Sequence, residues 1–195
     1  MSGKRTGSRT RAGLWATLVS AALLAGCGGG KKADGTTPTK RVGSEEKREP
    51  IKPDAKRAFE AGVRAMAGSS DASRDRARDR FAEARQLDPS LWEASYNLGL
   101  LASDDGDFDQ AAAEFATALT AFPEHAPTRL ARAEALRQAG KNKDARVEYT
   151  AVIAALPIDD PLRADAAARL AGSYRDNKDY AEAIRVLREA LRTNG

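Results

Sequence analysis

The sequence predicts an all-α fold, a helical solenoid of about four helix–turn–helix repeats that follows a disordered tether. The first observation behind this prediction is a fixed spacing, because Pro89, Pro123 and Pro157 stand at successive intervals of 34 residues. The second is that small and aromatic residues recur at the same interval. The third is a change of composition near residue 54, where Gly, Pro and Thr give way to Ala, Leu, Arg, Asp and Glu. A constant period of this length is typical of a repeat array.

Residues 1–26 have the pattern of a cleaved secretory signal peptide. Residues 1–11 carry four basic residues and no acidic one, and residues 12–26 carry no charge. This apolar run is shorter than the roughly 20 residues that a membrane-spanning helix needs. Cleavage would remove four of the 32 basic residues and none of the 28 acidic ones, which leaves the side-chain charges balanced. The sequence pI of 9.3 therefore does not indicate nucleic-acid binding, and we expect no nucleic-acid partner.

The only cysteine, Cys27, follows this segment directly. A lone cysteine cannot form an internal disulfide, so it could be a metal ligand, a redox thiol, a core residue or an attachment point. The stretch Leu24-Ala25-Gly26-Cys27 resembles the lipobox of bacterial lipoproteins. That resemblance implies cleavage before Cys27 and acylation of its sulfur, since a thiolate is the nucleophile that can attack a lipid donor. An ordinary signal peptide with an accidental cysteine, or an uncleaved anchor, is the alternative.

Residues 27–53 are predicted to form the acylated cysteine and a flexible linker. This segment is rich in Gly, Pro, Thr and charge and has only isolated aliphatic residues. Such a composition cannot bury a hydrophobic core and is typical of a disordered tether.

The repeat domain is predicted to span residues 54–195. Its repeats cover about 55–89, 92–123, 126–157 and 164–195. The first repeat has three extra residues in its internal turn, and a loop four residues longer precedes the fourth. The small positions of the second helices are Ala77, Ala111, Ala145 and Ala183. The larger side chains predicted to fill the space beside them are Phe81, Phe115, Tyr149 and Leu187.

The stretch from Trp92 to Pro123 closely resembles the tetratricopeptide consensus, with Leu98-Gly99 in its first helix and Gly106-Asp107-Phe108 in its turn. Thirty-four residues is also the period of that repeat. The resemblance implies a segment of right-handed superhelix. It also implies that the first helix of each repeat lines a concave groove that holds a segment of a partner protein.

Four helix starts carry capping sequences. Ser90, three residues before Glu93, predicts a capping box, and Asp107 with Gln110 and Asp179 with Glu182 predict acidic versions. Asp160 precedes a proline, which indicates an N-cap followed by proline at the first helical position.

The sequence offers no credible active site, and we expect a protein that is not an enzyme and that has no cofactor and no metal. His125 is the only histidine and has no second imidazole or nearby thiol with which to bind a metal. It lies between two predicted repeats, where we expect a surface turn histidine. The acidic residues at 104–109 lack the spacing and the terminal Glu of an EF-hand.

The tetratricopeptide register implies which residues face the groove. They are Phe59, Val63, Met66, Tyr96, Asn97, Leu100, Leu130, Glu134, Arg137 and Arg175. The first half of this set is apolar and the second half is charged. Some family members clamp a carboxylate at these positions. Asn97 matches that clamp, whereas Phe59, Val63 and Glu134 do not. The sequence therefore favours an extended or helical peptide with apolar anchors as the ligand.

The last predicted helix carries a second candidate surface. Ile184, Val186 and Leu191 form an aliphatic stripe on it, which predicts docking of a second copy, giving a homodimer, or of a partner machine. The alternative is that Leu187 tucks inward and the stems of nearby arginines shield the rest.

The combined resemblance is to tetratricopeptide lipoproteins that assist bacterial envelope machines in pilus assembly, secretion, gliding or outer-membrane biogenesis. It implies a scaffold or assembly factor that is anchored through Cys27. The alternatives are a non-catalytic adaptor for a peptidoglycan hydrolase or other envelope enzyme and, less favoured, an enzyme in its own right. Gly28 resembles the sorting pattern of outer-membrane lipoproteins facing the periplasm, and the outer face of a plasma membrane is the alternative location.

Overall fold

A computed structural model of the chain describes residues 49–190. The predicted signal peptide, the lipobox with Cys27, most of the linker and Leu191 lie outside the described residues. Residues 49–190 contain eight α-helices and no strand, which confirms the all-α prediction. The helices are α1 Pro53–Met66, α2 Asp71–Leu87, α3 Trp92–Asp105, α4 Phe108–Ala121, α5 Ala126–Gln138, α6 Asn142–Ala155, α7 Pro161–Asp176 and α8 Tyr180–Ala190.

The helices pack in chain order, each against the one before and the one after it. Short turns join α1 to α2, α3 to α4, α5 to α6 and α7 to α8, so the chain forms four helix–turn–helix pairs. We call the first helix of each pair the A helix (α1, α3, α5, α7) and the second the B helix (α2, α4, α6, α8). This arrangement is the predicted stack of repeats.

The 34-residue register identifies the core of the first three B helices. Ala77, Ala111 and Ala145 are fully buried. The aromatic position four residues later is buried as well in each helix, as Phe81, Phe115 and Tyr149. Small residues allow the helices to approach, and the large ring beside each one fills the remaining space.

Two glycines make this close approach possible on the A helices. A Cβ added to Gly99 would lie 2.6 Å from Cε1 of Phe115, and a Cβ added to Gly62 would lie 2.7 Å from Cδ1 of Phe81. Each aromatic ring therefore packs directly on the backbone of its A helix. Gly99 lies within the stretch that resembles the tetratricopeptide consensus. Gly62 is its equivalent in the first repeat, but the three extra residues of that repeat place it outside the 34-residue spacing, so the sequence did not predict its role.

The turns inside the second, third and fourth repeats use a left-handed residue. Gly106 has φ of 81° and Gly140 has φ of 78°, a conformation that glycine adopts without the steric cost of a Cβ. The matching position in the fourth repeat is Lys178, which has φ of 63°. The fourth repeat thus makes the same turn with a residue that is poorly suited to it.

The predicted caps at Asp107 and Asp160 form, and the one at Ser90 does not. The Asp107 carboxylate accepts a hydrogen bond of 3.1 Å from the backbone N–H of Gln110, and that of Asp160 accepts one of 2.8 Å from Leu162. The capping box at Ser90 is wrong, because α3 begins with Leu91 at the N-cap position and no side-chain cap.

Asp88 organises that turn instead. Its carboxylate accepts hydrogen bonds from the backbone N–H and the hydroxyl of Ser90, at 3.0 and 2.7 Å, and from the backbone N–H of Lys52 at 3.1 Å. The Ser90 hydroxyl and the Lys52 N–H lower the pKa of Asp88 by stabilising its charged form. This one side chain ties the start of α1 to the loop between α2 and α3.

Candidate partner-binding groove

The apolar part of the predicted groove comes from α1 and α3. Phe59, Val63 and Met66 are spaced by four and three residues, so they share one face of α1. Val63 is 48% exposed, while Phe59 and Met66 are half-buried. Phe59 packs on Phe81 with 5.4 Å between ring centroids. The α1 face therefore presents Val63 to solvent between two partly covered apolar neighbours.

On α3, Tyr96 occupies the register position of Phe59. It is half-buried, and its ring lies 5.6 Å from that of Phe115. Its hydroxyl makes no hydrogen bond to any of the described residues. Burial raises the pKa of Tyr96. An unpaired hydroxyl at the edge of an apolar face can hydrogen-bond a peptide that lies across it.

An aromatic cluster extends this face beyond Tyr96. Trp92 lies 4.2 Å from His125 and 5.5 Å from Phe122, and Phe122 lies 5.2 Å from His125, measured between ring centroids. The imidazole Nδ1 is 2.7 Å from the hydroxyl of Thr128. Burial lowers the pKa of His125 by disfavouring the charged ring.

The expectation of a surface turn histidine at position 125 is correct about the turn, because His125 holds the N-cap position of α5, but wrong about its exposure. His125 is half-buried among the aromatic rings that begin α3 and end α4. Trp92 and Phe122 are 30 residues apart, and nothing in the local pattern around His125 indicates that they meet it.

Three residues assigned to the groove by register contribute less than predicted. Leu130 is 8% exposed and belongs to the core, and Leu100 is partly buried against the same core. The side-chain amide of Asn97 donates to the backbone carbonyl of Glu93 at 2.7 Å, so this donor is satisfied by its own helix. The exposed apolar surface is therefore concentrated on α1 and on Tyr96 with its aromatic neighbours.

The charged half of the groove is a connected network around Glu134 on α5. Its carboxylate accepts hydrogen bonds from Arg137 at 2.6 and 3.1 Å, from the Gln138 amide at 2.9 Å, from the Tyr149 hydroxyl at 2.8 Å and from Arg169 at 3.2 Å. Burial opposes the charged carboxylate, but these donors outweigh burial and lower the pKa of Glu134 to about 2.

Glu134 and Arg137 are thus held by contacts within the fold rather than left free for a ligand. Arg169 joins them from α7 and also binds Asp165 at 2.9 Å. Arg175 pairs with Asp176 at 3.0 Å and remains exposed. Of the charged groove residues predicted from the sequence, Arg175 is the most exposed.

The final helix presents a different set of residues from the one predicted. Ile184 is 50% exposed and Leu187 is 41% exposed, with Tyr180 exposed beside them. Val186 is buried at 6%, so its assignment to the exposed stripe is wrong, and Leu187 does not tuck inward. Val186 faces the core because it takes the register position of Glu148, which is itself buried.

Residues 49–190 contain no helix that is long and apolar enough to span a bilayer. No group of three or more His, Cys, Asp or Glu side chains in this part of the chain is arranged to hold a metal ion.

The family profile of the tetratricopeptide repeat matches residues 70–126, 99–160 and 130–195. Together these matches span residues 70–195, well over half of the sequence. The chain belongs to the tetratricopeptide repeat family. This fold is typically a non-catalytic scaffold for protein–protein interaction.

Solved tetratricopeptide structures share the fold at low sequence identity. A crystal structure of MamA is 17% identical, with a TM-score of 0.62, and the match covers 71% of this chain and 77% of that one. MamA from Desulfovibrio magneticus RS-1 is 14% identical, with a TM-score of 0.59 over 71% and 74% of the two chains.

A third similar structure is the first tetratricopeptide domain of Spaghetti (RPAP3) bound to the HSP90 peptide SRMEEVD. It is 17% identical, with a TM-score of 0.55, and the match covers 64% of this chain and 94% of that one. No curated protein matches the sequence. These similarities establish the fold. The function has to be inferred from the surface residues of this chain.

Proposed function

We propose that the chain is a membrane-anchored tetratricopeptide lipoprotein that acts as a scaffold or assembly factor in a bacterial envelope machine. Its groove binds a segment of a partner protein through apolar anchors. The observation that carries this proposal is the exposed Val63, which is flanked by Phe59 and Met66 on α1 and followed along the groove by Tyr96. An apolar surface rimmed by polar residues is typical of a protein-binding site.

The same residues favour an apolar ligand over an acidic one. The RPAP3 domain binds an acidic peptide. In this chain Phe59 and Val63 are apolar, and the amide of Asn97 is engaged by its own helix. A peptide that places an aliphatic or aromatic side chain over Val63 and a backbone carbonyl near the Tyr96 hydroxyl fits this surface.

The anchor part of the proposal rests on the sequence. The stretch ending at Cys27 resembles a lipobox, and the segment before it has the pattern of a signal peptide. Acyl chains on Cys27 would hold the domain at a membrane, at about 0.8 kcal/mol per buried methylene. Gly28 favours the periplasmic face of an outer membrane.

Selection of random peptides against the full chain tests the groove. We expect peptides with two or more large apolar residues to be enriched, and Val63→Glu to abolish their binding. Val147→Glu is the matched control, because Val147 is 67% exposed on α6 and is not assigned to the groove. Equal loss with both variants, or no loss with either, contradicts the groove assignment.

Tyr96→Phe provides a finer test because it keeps the ring and removes only the hydroxyl. We expect selected peptides to bind several-fold more weakly while the melting temperature stays unchanged. A separate experiment addresses the anchor: metabolic labelling with a lipid precursor should label the wild-type chain and not Cys27→Ser. Undiminished label in that variant contradicts the anchor alone and leaves the groove untouched.

A further inference from the structure

Two carboxylates lie among the apolar residues of the groove. Glu60 on α1 stands three residues before Val63, and Asp104 on α3 stands four residues after Leu100, so each shares a helix face with a groove residue. Glu60 also takes the register position of Asn97, once the three extra residues of the first repeat are allowed for. Both acidic residues are exposed. The apolar half of the groove therefore carries negative charge beside its apolar anchors.

The Glu60 carboxylate is not neutralised within the fold. It makes no hydrogen bond and no ion pair to any of residues 49–190. Lys56 precedes Glu60 by four residues on α1 and is exposed as well, but the structure does not pair the two side chains. Glu60 is thus available to a cation of a ligand.

The Asp104 carboxylate likewise has no hydrogen bond or ion pair within the described part of the chain. It is attracted by Arg74, but that guanidinium is bound to Asp71. Partial burial and the charge of the adjacent Asp105 raise the pKa of Asp104. Both effects disfavour the charged carboxylate, so a cation placed beside Asp104 would be bound favourably.

The other half of the groove differs in this respect. All three carboxylates of α5 and α7 are neutralised by arginines of the fold, which are Arg137 and Arg169 for Glu134, Arg169 for Asp165 and Arg175 for Asp176. A charged ligand residue would have to compete with these contacts. The unpaired carboxylates Glu60 and Asp104 instead stand on the two helices that present the apolar anchors.

We propose that the partner segment held by the groove is cationic as well as apolar, with a lysine or arginine beside its apolar anchors that pairs with Glu60 or Asp104. This inference rests on the proposed groove function and specifies the chemistry of the partner. The occupant is chosen by charge complementarity. A ligand that covers the groove excludes water, which strengthens the attraction between a carboxylate and a cation. Acidic segments with the same anchors are repelled by the same two carboxylates.

Selection of random peptides against the full chain, purified in a mild non-ionic detergent, gives the first test. We expect the selected peptides to contain more lysine and arginine, and less aspartate and glutamate, than the unselected pool, together with their large apolar residues. The tightest selected peptide then serves as the probe, and fluorescence anisotropy measures its affinity for each variant.

Glu60→Gln with Asp104→Asn should weaken binding of this probe by about three- to tenfold, because two ion pairs at the protein surface are lost. Raising sodium chloride from about 50 to about 500 mM should weaken binding to the wild type and reduce its advantage over this double variant. Asp79→Asn with Asp159→Asn is the matched control. It removes the same number of charges from exposed residues on α2 and in the loop before α7, and it should leave the affinity unchanged.

An exchange of signs tests whether the contact is direct. A second probe has the lysines and arginines of the first replaced by glutamate and keeps every apolar residue. We expect it to bind the wild type more weakly than the first probe does, and to bind Glu60→Lys with Asp104→Lys more tightly than it binds the wild type. Circular dichroism melts check that each variant remains folded.

The outcomes separate this inference from the proposed function. Selected peptides that are apolar but neutral or acidic, or equal effects of the groove and control double variants, would overturn the cationic partner. The groove assignment would still stand in that case if Val63→Glu abolished binding. Failure to select any peptide, or binding that is insensitive to Val63→Glu, would overturn the groove function and the cationic partner together.

Discussion

The phenol of Tyr149 on α6 donates a hydrogen bond of 2.8 Å to Oε2 of Glu134 on α5. Tyr149 occupies the position that Phe81 and Phe115 hold in the first two repeats, so only the third repeat has a hydroxyl there. Arg169 of α7 reaches the same carboxylate. A polar network therefore links the third and fourth repeats, in addition to the apolar contacts between their helices.

Tyr149→Phe should destabilise the domain by about 1.5–3 kcal/mol. The substitution keeps the buried ring but removes one donor from a charged acceptor, and hydrogen bonds to charged groups contribute about that much. Urea denaturation of the two proteins measures the difference. Tyr180→Phe is the control, because Tyr180 is exposed and should change the free energy of unfolding very little. Equal effects from both substitutions would contradict a structural role for the Tyr149 hydroxyl.

The stability contributed by Glu134 should disappear in acid. Its pKa falls from 4.5 to about 2 in the folded protein, so the folded state favours the charged carboxylate. This contribution is fully present above about pH 4.5 and is lost as the pH falls toward 2.

The free energy of unfolding of Glu134→Gln should therefore not show the decrease that the Glu134 carboxylate causes in acid. We expect the stability difference between the wild type and the variant to shrink by on the order of 2 kcal/mol across that window. Urea denaturation at a series of pH values measures it. A difference that stays constant from pH 6 to pH 2 would show that the carboxylate does not titrate with a lowered pKa.

Gly99 and Gly172 should respond in opposite ways to alanine. Both lie inside helices, where alanine is favoured over glycine by about 1 kcal/mol. A Cβ at Gly99 would meet the buried Phe115 ring at 2.6 Å, whereas a Cβ at Gly172 would meet nothing within 4 Å. We expect Gly99→Ala to lower the free energy of unfolding by about 1–3 kcal/mol through overpacking. Gly172→Ala should raise it by roughly 0.5–1 kcal/mol. Stabilisation by both substitutions would mean that Phe115 has room to move.

The repeat register explains why so much of this fold can be read from the sequence. Each unit uses the same contact between a small residue and a ring, as at Ala111 with Phe115, so the period predicts the helices and their buried faces together. The register does not predict the burial of a side chain where that burial depends on which helix packs beside it. Leu130 sits at a groove position but is buried in the core, and Val186 faces inward while Leu187 is left exposed.

His125 shows a second limit of the sequence. Its environment is made by Trp92 and Phe122, which only the packing of α3 against α4 brings to it. No period relates these three residues. Contacts between a helix and the loop that follows its repeat do not recur at the 34-residue spacing. The sequence therefore did not predict the aromatic cluster.

Lys178→Gly should stabilise the fourth repeat. Lys178 has φ of 63° at the turn position where Gly106 and Gly140 have φ of 81° and 78°. A side chain in the left-handed region costs about 1–2 kcal/mol, and Lys178→Gly removes this cost. Glycine also increases the entropy of the unfolded chain, which lowers the stability again by roughly 0.4–1 kcal/mol. We therefore expect a net increase of about 0.5–1 kcal/mol in the free energy of unfolding, measured by urea denaturation. Gly140→Lys is the reciprocal control and should destabilise the third repeat by a similar amount. A loss of stability in Lys178→Gly would mean that the lysine side chain makes a contribution larger than the strain of its backbone.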